Sequence, residues 1–325
     1  MRPDGGEPAI TSPTQLALYS MDGLQEAIEW ANQGLGADET ACIWLAYLRW
    51  LRSRGLPLPE AGLVPQPRPI DAEPLLQAGS GAADASLDPE VLAALSTGEM
   101  GTRQRPVNTV STSPAPLVRS APFGLLPYVE TETVYKLSLD AASLTHGHPA
   151  ARHAAAVFAS VVHGLLTPGV PLREAAAAAV ERAARVSDDD GGSPDLVNRL
   201  RAVLAGNGHG AGDAAGSAAT VPNGADGLLH GTAEEALALG LEVSLAAEDQ
   251  VAAEGSAENA EALNRTVSAA IRRAAESGGT PAAVVTGSLL GTAYGADSLP
   301  EAATVREHSV IDKLATAFAA ATIAP

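Results

Sequence analysis

The sequence predicts an all-α fold, and three observations carry that prediction. Apolar residues recur at three- and four-residue steps in one segment after another, while strand-like alternation is nearly absent. Hydrophobic residues make up 46% of the 325 positions but aromatics only 3%, so the core must be built from Ala, Leu and Val. Small side chains suit closely packed helices, whereas β-sandwich strands favour β-branched and aromatic residues. Candidate caps and stops also fall between the periodic segments.

Thr14 to Gln33 reads as the first helix, with Leu16, Met21, Leu24, Ala27, Ile28 and Ala31 on its apolar face. Pro13 suits a first-turn position, and Gly34 and Gly36 stop the helix. Asp38 is placed to cap a second helix, Glu39 to Arg54, which ends at Gly55 before Pro57. Trp30, Trp44 and Trp50 all fall in this pair and are expected to be its packing anchors. From residue 56 to 127 twelve prolines accumulate, so a long ordered or semi-ordered loop is expected, helical only from Pro89 to Leu95. Helices follow over Thr131 to Thr145, Pro149 to Leu166 and Leu172 to Arg185, where five consecutive alanines give high propensity. Asp188, Asp189 and Asp190 precede two glycines but lack the alternating ligands of a calcium loop, so a solvated turn is expected. Gly206 to Gly231 reads as a flexible insertion, with His209 and His230 lacking partners at metal-ligand spacing. Thr232 to Ala247, Ala257 to Glu276, Ala282 to Tyr294 and Val305 to Ala321 bring the count to roughly ten helices in one domain, residues 1–325.

Composition removes several function classes. Lys and Arg total 20 against 38 Asp and Glu, a formal net charge of −18. Sequence-independent binding of DNA or RNA needs a basic surface, and so does docking on anionic lipid. Neither nucleic acid nor membrane is therefore an expected partner. No run of about 18 apolar residues occurs, and the first residues carry no apolar signal core; a cytoplasmic location is the expectation. Cys42, the only cysteine, sits beside Ile43 and Trp44 and reads as a core thiol.

Three stretches carry a resemblance. Thr14-Gln-Leu-Ala-Leu-Tyr-Ser-Met-Asp-Gly with Gly36-Ala-Asp-Glu-Thr-Ala-Cys, then Ser143-Leu-Thr-His-Gly-His-Pro, then Thr286-Gly-Ser-Leu-Leu-Gly-Thr-Ala-Tyr-Gly with Leu299 and Pro300, are similar to successive motifs of the ADP-ribosylglycohydrolase family. Arg119-Ser-Ala-Pro-Phe-Gly-Leu fits between them. The resemblance spans nearly the whole chain in the right order. It implies an orthogonal multi-helix bundle around a cleft holding two magnesium ions, and hydrolysis of ADP-ribosyl bonds. The family's opening helix is expected to be missing, because Met1 stands ten residues before Thr11.

The resemblance also shows where the sequence departs. Ser12 and Pro13 stand at the family's paired aspartates before Thr14, and Gly278 and Thr280 at the two aspartates of its second metal cluster. Carboxylates are the oxygen ligands that a magnesium pair needs, so no cofactor is expected and the family's magnesium pair is predicted absent. The family's glycine-rich substrate loop is replaced by Ser111-Thr-Ser-Pro-Ala-Pro-Leu-Val, whose prolines remove backbone donors. Thr14, Arg119, His146 and His148 remain as ligand-cleft candidates, with Glu130 and Glu132 nearby in sequence and no convincing catalytic dyad; the catalytic residues stay unassigned. Asp22 and Glu39 are expected to form salt bridges rather than replace the lost ligands. Gly287, Gly291 and Gly295 share a helix face and suggest close helix packing, not a phosphate loop.

The expected function is that of an ADP-ribosylglycohydrolase-like pseudoenzyme that binds ADP-ribose, a related nucleotide or a protein partner. The first alternative is a metal-independent enzyme acting on a small molecule in the ancestral cleft. The second is a retained metal-dependent ADP-ribosyl hydrolase.

Overall fold

A computed structural model describes residues 9–59, 64–77, 87–186, 191–207, 229, 231–300 and 305–323. Among these residues there are twelve α-helices and no strand. They are α1 (Ser12–Asn32), α2 (Glu39–Ser53), α3 (Pro89–Ser96), α4 (Ala115–Val118), α5 (Ala121–Gly124) and α6 (Thr131–Ser143). Then come α7 (Pro149–Leu165), α8 (Leu172–Ala183), α9 (Pro194–Leu204), α10 (Ala233–Glu254), α11 (Ala260–Tyr294) and α12 (His308–Ile323).

The helix starts follow the chemistry of their caps. Asp38 accepts from the Ala41 amide at 2.9 Å and opens α2. Asp88 does the same for Glu90 and Val91 at the head of α3. Thr232 and Glu235 form a reciprocal capping box on α10. Pro13, Pro89, Pro149 and Pro194 sit in first turns, where the missing N–H is no loss.

Helix α7 lies at the centre and packs against α4, α5, α6, α8, α10 and α11. Its sequence explains the position: Ala150, Ala151, Ala154, Ala155, Ala156 and Ala159 are buried, so neighbouring backbones can approach from several sides. One apolar cluster joins α7 to α8, α9 and α10. A second joins α1, α2 and α12 to Ile70, Leu76 and Val91 of the proline-rich segment, and a third lies between α10 and α11.

Buried charge fastens the proline-rich segment to the second cluster. Arg49, 1% exposed, reaches Asp22 at 2.5 Å and Asp71 at 3.3 Å. Arg68 bonds both oxygens of Asp22 at 3.1 Å and Glu29 at 2.9 Å. The salt bridge expected of Asp22 is thus a buried network spanning α1, α2 and residues 68–71.

Some expectations need correction. Residues 56–127 contain α4 and α5 besides α3, because Pro116 and Pro122 occupy first turns instead of breaking helices. Helix α9, between residues 191 and 207, is an addition. Trp50 is fully buried and Trp44 nearly so, but Trp30 is 44% exposed and is not part of the buried core. Glu130 is exposed ahead of α6, and Glu132 faces solvent, paired with Arg182 at 2.5 Å. The Asp188–Asp190 turn, His209, His230 and nearly all of the 206–231 insertion lie outside the described residues, as do residues 1–8. No described helix is long and apolar enough to cross a membrane.

Candidate functional site

The retained motif segments meet where α4 ends and α7 begins. Helix α4 touches α1, α7, α10 and α11, so it links segments far apart in sequence. Arg119 caps its C-terminus and is 1% exposed. The guanidinium stacks over the Tyr47 ring, with Cζ 5.1 Å from the centroid. Its Nη2 donates to Thr145 Oγ1 at 2.5 Å, and Nη1 is buried with no partner among the described residues.

From Thr145 the chain continues to His146 and then to a residue that the motifs do not mention. Thr145 Oγ1 lies 2.9 Å from His146 Nδ1, and His146 Nε2 lies 3.3 Å from Glu90 Oε2. The direction follows from the Glu90 carboxylate, which can only accept, so His146 carries its proton on Nε2. Nδ1 of the neutral ring then accepts from the Thr145 hydroxyl, which itself accepts from Arg119. Ser111 Oγ donates to the same carboxylate oxygen. His146, wholly buried, is held neutral because burial lowers its pKa. The His146 hydrogen bond is the main force lowering the Glu90 pKa, with Ser111 adding to it, so that carboxylate is ionised.

Backbone geometry locks this arrangement. Asn108, at a φ of 46°, donates from Nδ2 to the carbonyls of Glu90 and Thr145, both at 2.8 Å. A side chain at Gly147 would place Cβ 2.6 Å from the Val107 carbonyl oxygen, so only glycine allows the loop to lie there. Residues 101–113 are thereby clamped across the start of the Ser143 to Pro149 motif.

His148 takes a different part. Its Nδ1 accepts from the Ala150 amide at 3.2 Å, so it is the N-cap of α7. Thr14 lies half-buried in the first turn of α1 and makes no side-chain hydrogen bond among the described residues. The structure therefore joins Arg119 to His146 and leaves Thr14 and His148 out of that chain. Cys42 is buried, and desolvation pushes its thiol up to about 11, as befits an inert core cysteine.

Ser12 and Pro13 are buried in the first turn of α1. Gly278 and Thr280 flank a break within α11: Gly279 adopts φ 69° and ψ −166°, outside the helical region. Beyond it the helix folds back. Asn264 Nδ2 reaches the carbonyls of Ser298 and Leu299 at 3.3 and 3.0 Å, and the Gly287 backbone approaches Ile271. A Cβ on Gly278 would penetrate Leu239 of α10. The donors at these four positions are hydroxyls at best, and a side chain at residue 278 would have to displace the end of Leu239 and press on the Ala282 Cβ at 2.9 Å. This set does not fit a pair of magnesium ions. Among the described residues no group of three or more His, Cys, Asp and Glu is arranged to hold a metal.

The twelve-helix fold and the order of its motifs place the chain in a class of all-α glycohydrolase folds. The ADP-ribosylglycohydrolase family model matches residues 2–324, and the chain belongs to that family. Seven chains of solved structures are similar. One, described as an ADP-ribosylglycohydrolase-related protein complex, is 21% identical with a TM-score of 0.55. That match covers 96% of this chain and 82% of the other. No curated protein matches the sequence.

Proposed function

We propose that this chain is a non-hydrolysing member of the ADP-ribosylglycohydrolase family, a pseudoenzyme that binds an ADP-ribose-like nucleotide without cleaving it. The observation that carries the reading is the state of residue 278. The resemblance assigns an aspartate there; the residue is glycine, a side chain would have to displace the end of Leu239 and press on the Ala282 Cβ, and the next residue breaks the helix. Ser12, Pro13 and Thr280 offer no carboxylate at the other three positions. The binding half of the reading rests on the resemblance, since Arg119, Thr145 and His146 are all buried.

The test is a paired measurement. ADP-ribose should raise the melting temperature, since a ligand bound only by the folded state stabilises it. Arginine-linked and serine-linked ADP-ribosyl peptides, with excess magnesium or manganese, should release no ADP-ribose. Release abolished by a chelator would restore the metal-dependent hydrolase. A second reading, metal-independent chemistry on a small molecule, draws support from the Glu90–His146 pair. It requires turnover that persists in chelator and is lost in Glu90→Gln.

A further inference from the structure

The stretch between Gly101 and Ser111 is fastened unlike the rest of the fold. None of residues 102–110 is buried, Val110 is 89% exposed, and none contributes to the three apolar clusters. Beneath it lies the most deeply buried part of the site, with Thr145 and His146 at 0% exposure. The links that tie the stretch down are polar. Asn108 donates to the Glu90 and Thr145 carbonyls, and Arg103 pairs with Asp140 in an exposed ion pair that contributes little. Its other hydrogen bonds are internal, joining Thr102 to Arg105 and Ser111 to Asn108. A segment with an exposed backbone, no buried apolar contact and its own internal turns opens locally and as a unit.

We propose that residues 102–110 form a hinged strap that lifts off Gly147 and opens the way to Thr145 and His146, with Asn108 as its latch. As the gate of a ligand site this rests on the nucleotide reading above; as a moving part it does not. The ends of the strap are fixed. Gly101 is seated against the Ser143 and Leu144 carbonyls with no room for a Cβ, and Ser111 donates to Glu90. The latch lies between them. Asn108 is the one strap residue with a left-handed backbone, and its two hydrogen bonds reach α3 on one side and the end of α6 on the other. Gly147 is the seat. The three nearest neighbours of a Cβ built there all belong to the strap: the Val107 carbonyl oxygen at 2.6 Å, Pro106 Cβ at 2.7 Å and Thr109 Cγ2 at 3.3 Å. Alanine at 147 therefore presses first on the strap. Behind Thr145, Arg119 Nη1 is a buried donor without a partner, an unmet hydrogen bond that a guest admitted by the strap can satisfy.

The experiment is carbethoxylation of the full chain by diethyl pyrocarbonate, followed residue by residue with mass spectrometry. It compares the unmodified chain with Asn108→Ala, which removes the latch, and Gly147→Ala, which wedges the strap from below. His146 reports opening of the strap. His153, also buried but held by Tyr135 and Gly191 away from the strap, reports unfolding of the whole. Two lost hydrogen bonds correspond to about tenfold or more in the open fraction. His146 should react faster than His153 in the unmodified chain, and about tenfold faster again in each variant, with His153 unchanged. Equal rates for the two histidines in the unmodified chain, or equal acceleration of both in the variants, overturn the strap. Added ADP-ribose separates the two claims. Protection of His146 by ADP-ribose in Gly147→Ala supports the gate to a nucleotide site; selective reactivity of His146 without such protection keeps the strap and removes the nucleotide.

Discussion

At the residue scale the buried histidines make the fold acid-sensitive. His153 is 2% exposed; its Nε2 lies 2.8 Å from the Gly191 carbonyl oxygen and its Nδ1 2.5 Å from the Tyr135 hydroxyl. The carbonyl can only accept, so the proton sits on Nε2 and Tyr135 donates to Nδ1. Burial pulls the pKa down to about 4 from an ordinary 6.5. Because the folded value lies below the unfolded one, protonation favours the unfolded chain. The full stability holds above pH 6.5, erodes as pH falls towards 4, and is lost by about 3 kcal/mol from this group. His146, depressed by burial in the same direction, adds to the effect. Glu90, lowered instead, keeps its contribution until pH falls through its own folded value. We predict that the melting temperature drops between pH 6.5 and 4, and that His153→Gln flattens this slope; an unchanged slope would show that His153 does not titrate there. Such details were only partly legible in the sequence. His146 and Arg119 stood out in their motifs, whereas His148, expected at the cleft, is the cap of α7. Glu90 was invisible because it meets His146 from 56 positions away in sequence, through a loop with no periodic signal. The nearest hint was Gly147, a glycine inside a polar motif.

At the element scale, helix starts were legible at Asp38, Pro89, Pro149 and Thr232, where a cap or proline opens a periodic segment, but not at Pro194, which opens α9. Helices α4 and α5 were not, since each is a single turn defined by tertiary contact rather than propensity. The two helices expected at Ala257 to Glu276 and Ala282 to Tyr294 are the arms of α11, separated by Gly279. Close packing was expected at Gly287, Gly291 and Gly295; it is found at Gly291, where a Cβ would stand 3.1 Å from Leu299, but not at Gly287 or Gly295, and Gly240 of α10 is packed more tightly than any of the three. A Cβ on Gly240 would stand 2.6 Å from Val285 Cβ and 3.1 Å from the Ala282 carbonyl oxygen; on Gly287 its nearest neighbour is Ile271 at 3.6 Å. Gly240→Ala should therefore destabilise by about 1–3 kcal/mol through overpacking. Gly287→Ala should be neutral or stabilise by about 0.5–1 kcal/mol, because alanine restricts the unfolded chain and fits the helix. Denaturant midpoints of the two variants check the contrast, and equal shifts would refute it. Gly278→Asp should also destabilise, by about 1–3 kcal/mol, and Leu239→Ala should restore part of that loss if the clash with Leu239 is its cause.

At the scale of the whole molecule, net charge and metal binding must be told apart. A chain at −18 repels itself, so any divalent cation will raise its melting temperature somewhat by screening. A bound metal pair behaves differently. It stabilises as the logarithm of free metal over its dissociation constant, about 2.7 kcal/mol at a hundredfold excess, and it discriminates between ions. Magnesium demands near-octahedral oxygen geometry and calcium tolerates irregular sites, so a genuine family-type centre would separate the two. Here the positions that the resemblance assigns to the ligands carry Ser12, Pro13, Gly278 and Thr280, spread over the start of α1 and the fold in α11. Restoring single carboxylates would not recreate the centre, because the ligands must be held together and supported by the residues behind them. Titration of magnesium and calcium at constant ionic strength should therefore give melting curves that coincide and show no saturation. The quadruple variant Ser12→Asp, Pro13→Asp, Gly278→Asp and Thr280→Asp should melt lower than the unmodified chain in metal-free buffer, since four like charges and the contact with Leu239 act together. Saturable stabilisation of the unmodified chain by magnesium alone would refute this reading and reinstate a metal centre built from ligands other than these four.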